Sequence, residues 1–160
     1  MRFRCTVLVT ALVLGSLAGW NAAFAETFVT GGGGGVYPPG TTFNAIPISG
    51  LDFGLGSTIV DDGSAVGGIC LILLGTSVAG RPQTIRIAGN ATTGQRTAGN
   101  VAVYSGTCTV DMADGMPPTP GVPFTATVTT DANDQGKLGL VIGINTLPDA
   151  VVNAGSQTIK

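Results

Sequence analysis

The chain contains no histidine. Nucleophile systems built on Ser-His or Cys-His pairs are therefore absent. The residues left for chemistry are nine acidic side chains and a few cysteines. Two cysteines, Cys70 and Cys108, lie in apolar strand-like runs, Gly68-Ile69-Cys70-Leu71-Ile72 and Thr107-Cys108-Thr109-Val110. In an exported chain such a pair is expected to form one disulfide. It would close a loop of about 38 residues and stabilise the fold by roughly 4 kcal/mol. Paired cysteines would not bind zinc. Asp62-Gly63-Ser64 has the residue types of a tight turn. Two aspartates could serve as acid and base on a substrate, but only if the fold brought them together.

The segment Asp131-Ala132-Asn133-Asp134-Gln135-Gly136 places Asp131, Asn133 and Gln135 at alternate positions before a glycine. It resembles the first half of an EF-hand-type calcium loop, which makes these three a weak metal candidate. It departs from that pattern at Gln135, and at the twelfth position, which is Ile142 instead of Glu. Thr130-Asp131-Ala132-Asn133 with Gly136 also resembles a turn common in bacterial immunoglobulin-like repeats. That resemblance implies a β-sandwich. The missing core tryptophan departs from a true immunoglobulin domain.

This polar tip joins two arms that alternate with a period of two. Phe124, Ala126 and Val128 face one way, and Thr125, Thr127 and Thr129 the other. Leu138, Leu140, Ile142 and Ile144 again share a face. The pattern predicts a β-hairpin with one apolar face on a core. Gln83–Ala88 and Val101–Met112 alternate in the same way. Ile69 to Leu74 is apolar throughout, so a strand buried on both faces, or a central core strand, is expected there. Gly89–Gly99 and Ala113–Pro123 read as polar or Pro-rich loops.

Arg2 and Arg4, an apolar run from Cys5 to Gly19, and Ala23-Phe24-Ala25 have the layout of a secretory signal peptide, with cleavage expected after Ala25. The run is shorter than the roughly 20 residues that span a bilayer. No membrane span is expected after cleavage, and the mature chain would be secreted, periplasmic or at the cell surface. Removing residues 1–25 leaves five basic against nine acidic residues, a net charge of −4. That argues against nucleic acid, which needs clustered Lys and Arg. Charged residues make up 10% of the whole chain, well below the usual quarter. Such a low share fits an exported protein, most simply a small neutral secreted domain, and it also fits one that associates with copies of itself.

Residues 26–40 hold five consecutive glycines, Gly31 to Gly35, then Tyr37-Pro38-Pro39-Gly40. The backbone entropy of such a run predicts a flexible Gly/Pro-rich tether. Residues 41–160 carry many short strands separated by Gly and Pro turns, which means a β-sandwich or a small barrel. The expected fold is all-β: a single Ig-like or jelly-roll-like β-sandwich behind the signal peptide and the tether. The expected function is that of an exported non-enzymatic structural or surface protein, needing no cofactor. Its partners would be copies of itself, as a fibre, coat or matrix subunit, or cell-surface components. The alternative is a monomeric secreted module binding a glycan or small apolar ligand through Gly89–Gly99 or Ala113–Pro123. An enzyme of unknown type comes third.

Overall fold

The computed structural model describes residues 26–160. The expected signal peptide and its cleavage after Ala25 lie outside the described residues. Ten strands follow in order: β1 (Glu26–Val36), β2 (Thr42–Phe43), β3 (Ile46–Val60), β4 (Ala65–Thr76), β5 (Pro82–Ala98), β6 (Val101–Asp111), β7 (Thr119–Thr130), β8 (Gly136–Ile142), β9 (Asn145–Thr146) and β10 (Ala150–Ile159). Every pairing is antiparallel, and β3 to β8 form a meander in which each strand pairs with the next.

The sheet does not end at its edges. β10 pairs with β8, and β1 pairs with β10 on one side and β3 on the other. The eight long strands therefore close into a ring, with β2 and β9 as short ribbons on β3 and β8. The result is one closed antiparallel sheet, a small barrel, in place of the two-sheet sandwich. The reason is the segment expected to be a tether. Glu26–Val36 is a strand with an unbroken ladder to β3 from Glu26↔Val60 to Val36↔Gly50. A glycine in a strand costs roughly 0.5–1 kcal/mol against alanine. Here the run is hydrogen-bonded along both edges, which offsets a cost that looks prohibitive when the segment is considered alone.

Alternation sorts the side chains. Leu51, Phe53, Leu55 and Ile59 on β3, Ile85 and Ile87 on β5, and Phe124, Ala126 and Val128 on β7 are buried inside. β7 and β8 pair Phe124↔Ile142, Ala126↔Leu140 and Val128↔Leu138, as the hairpin pattern predicts. Ile144 leaves this face: the chain turns at Gly143 (φ 58°), and Ile144 is 97% exposed. The interior is apolar, and the outer wall carries Thr, Ser, Gly and Asn together with exposed apolar residues such as Val66, Leu74 and Val151. No helix among the described residues is long and apolar enough to cross a membrane.

Two further expectations change. Residues 89–98 continue β5, with bulges at Ala91/Thr93 and Arg96/Ala98, because β6 supplies partners along their length. The apolar run on β4 is not buried on both faces. Ile69, Leu71 and Leu73 point inward, while Cys70 and Leu74 are exposed outside and Ile72 is half-buried.

The ring is weakest between β8 and β10, where only three residue pairs meet, Ala150↔Leu138 to Val152↔Gly136. Beyond Val152, Gln157 spans the gap. Its backbone N–H donates to Asp134 O (2.6 Å), and its Nε2 donates to Thr129 O (2.9 Å) and Lys137 O (3.1 Å), with a longer contact to Gln135 O (3.4 Å). Gln157 is fully buried.

Candidate functional surface

Parity decides the fate of the two cysteines. Cys70 on β4 stands opposite Ala88 of β5, and Cys108 on β6 stands opposite Gly89 of β5. One whole strand separates them, so their Cα atoms are about 10 Å apart from strand spacing alone. A disulfide needs about 4.4–6.8 Å and facing Cβ atoms. These thiols point to opposite faces: Cys70 is exposed, Cys108 is buried, and both are free. The structure thus sets the two cysteines expected to pair on opposite faces of the sheet, with no bond between them. Burial also pushes the Cys108 thiol pKa up, which lowers its reactivity further. Iodoacetamide on the native, unreduced protein is therefore expected to label Cys70 alone, and Cys108 only after denaturation. Mass spectrometry that finds neither thiol labelled in the unreduced, denatured chain would reinstate the bridge.

The hairpin tip holds Asp131, Asn133 and Gln135 in a self-contained turn. The Asp131 carboxylate accepts the backbone N–H of Asn133 (2.8 Å) and of Gln135 (3.0 Å) through the same oxygen. That oxygen shapes the turn. Among the described residues no group of three or more Cys, Asp or Glu side chains is arranged to hold a metal.

Asp62-Gly63-Ser64 forms the β3–β4 turn. Asp62 accepts the Ser64 N–H at 2.7 Å. Hydrogen bonds from the Ser64 side chain and then its backbone hold the Asp62 carboxyl below its usual pKa. With Thr27, Asp61, Gln95 and Arg96 this turn lines an open polar cleft of about 330 Å³ at one end of the barrel. The Arg96 side chain is bent onto its own hairpin, donating to Ala98 O and Gly99 O.

A different hollow lies on the outer wall. It measures about 270 Å³ and is floored by Cys70, Ile72, Ala88 and Thr109, with Pro118 on one side and Arg86 and Asp111 at its rim. Sequence reasoning did not find it, because it depends on which face of β4 turns outward. Two neighbouring registers across this wall carry no charge at all: Gly32, Gly54, Cys70, Ala88, Thr109, and Thr30, Gly56, Gly68, Asn90, Thr107. Ala113–Pro123 contributes Pro118 to the hollow, although its last part, from Thr119, belongs to β7.

Inside the barrel, Tyr104 packs edge-on against Phe124, with ring centroids 6.3 Å apart at 83°. Its hydroxyl is buried without a protein hydrogen-bond partner, and burial drives its pKa upward.

Fold and surface together define a closed all-β barrel with a packed apolar interior and a weakly charged outer wall. Comparison with known protein families, with curated proteins and with solved structures found no match.

Proposed function

We propose that this protein is an exported, non-enzymatic structural or surface module that assembles with its own kind as a subunit of a fibre, coat or matrix. The observation that carries this reading is the outward side of β4, where Val66, Cys70, Ile72 and Leu74 present apolar groups beside glycines of β3. A soluble chain rarely leaves such a surface uncovered unless something docks on it. The leader-like layout of residues 1–25 supports export. Assembly would use faces, since β1 already has both edges paired inside its own barrel and has none to lend. Light scattering of the purified protein over a hundredfold concentration range is expected to show its mass rising. A constant monomer mass would overturn the reading.

A second reading is favoured by the barrel-end cleft, whose Asp61, Asp62, Thr27 and Gln95 offer polar groups to a small hydrophilic ligand such as a sugar. It requires a concentration-independent monomer that binds on a glycan array.

A further inference from the structure

We propose that two copies associate face to face about a two-fold axis running along β4, with Asp52 of each copy set against Arg86 of the other. This rests on the self-associating reading above and names its surface.

The register carries the argument. Asp52 on β3 stands opposite Ile72 on β4, and Ile72 stands opposite Arg86 on β5. Asp52 and Arg86 are exposed, and Ile72 is half-buried between them on the outer wall. An acid and a base thus flank a central apolar residue, one strand spacing to each side. A two-fold axis along the central strand exchanges the flanks. It brings Asp52 of one copy to Arg86 of the other twice over, and Ile72 onto its own counterpart, as an isologous interface demands.

Neighbouring placements of the axis fail on charge. An axis along β5 would set Arg86 on itself. An axis between β4 and β5 would set Asp52 against Asp111, which is the residue opposite Arg86 on β6. Like charges brought together in this way oppose binding. Of these three placements, only the β4 axis pairs unlike charges.

The next register fits the same geometry. Cys70 lies on the axis between Gly54 and Ala88. Among the described residues, apart from each glycine's chain neighbours, nothing lies within 4 Å of where a Cβ would sit on Gly54 or on Gly56. The barrel's own packing therefore does not call for these glycines, and they leave bare backbone that lets a second face approach closely. Leu74, 42% exposed, extends the apolar strip along the axis.

The test is a charge exchange read by analytical ultracentrifugation. Arg86→Glu and Asp52→Arg alone each create two like-charge contacts and are expected to weaken association about tenfold or more. The double variant D52R/R86E restores unlike pairs and is expected to return to within about threefold of the parent. Protection of Cys108 from iodoacetamide reports that each variant is folded. If Arg86→Glu fails that check, Asp52→Arg and the double variant decide alone. Parent association left unchanged by the single reversals overturns this surface while leaving assembly through another face. Weakening by both singles without recovery in the double also overturns it. A parent that stays monomeric at every concentration overturns both this surface and the broader reading.

Discussion

Replacing Gly33 with alanine is expected to cost roughly 3–5 kcal/mol, by adding overpacking to backbone strain. That is a large part of the 5–15 kcal/mol that typically holds a domain together. Gly33 on β1 pairs with Gly155 on β10 and with Phe53 on β3. Its φ is 152°, and a Cβ there would lie 2.0 Å from the carbonyl oxygen of Ala154. That oxygen belongs to the neighbouring backbone and cannot swing aside. The same closeness recurs in reverse at Gly155, whose φ is 82° and whose Cβ would meet Gly32 O at 2.0 Å. Alanine at Gly33 must therefore push β1 away from β10 and open the ring. Gly54→Ala is the matched control, facing open space on the outer wall. It is expected to be neutral or to stabilise by up to about 1 kcal/mol. Urea denaturation followed by circular dichroism compares the two. Equal midpoints would mean that β1 is not wedged into the sheet.

The second large effect is expected at Gln157. Replacing it with leucine keeps the bulk but removes the donor from Thr129 O and Lys137 O, which it holds where β8 and β10 have ceased to pair. Both carbonyls also face their ladder partners across β7 and β8, so the loss is of two additional hydrogen bonds at about 0.5–1.5 kcal/mol each, partly offset by removal of the unpartnered Gln157 Oε1. We expect a loss of roughly 1–2 kcal/mol, with faster amide exchange at Lys137 and Gly136. Gln157→Glu is expected to be worse than leucine, because it aims a buried carboxylate at the same carbonyls. A glutamate variant as stable as the parent at neutral pH would mean that the seam is open to water.

Much of the strand content was legible locally. The alternation of Phe124, Ala126 and Val128 against three threonines required a half-buried strand. The spacing of Leu138, Leu140 and Ile142 required its partner. The outward position of Arg86 was equally readable, since Ile85 and Ile87 flank it. Other features were not legible from local pattern. The glycine run reads as a tether when its entropy is counted residue by residue, because the two ladders that hold it come from β3 and β10, distant in sequence. The opposite facing of Cys70 and Cys108 and the one-sided burial of Ile69 to Leu74 were hidden because a uniformly apolar strand does not reveal which parity faces the core. The facing of Asp52, Ile72 and Arg86 needs three strands in known register.

The sequence by itself determined an all-β chain of alternating strands with an apolar interior, because period-two alternation and Gly/Pro turns are local properties of the backbone. Only the tertiary structure decided that β1 closes the sheet on itself. Closure is a long-range hydrogen-bonding event between the two ends of the described chain. Once made, it settles which face of β4 is inside, and so which apolar and charged residues are left on the outer wall for a partner to meet.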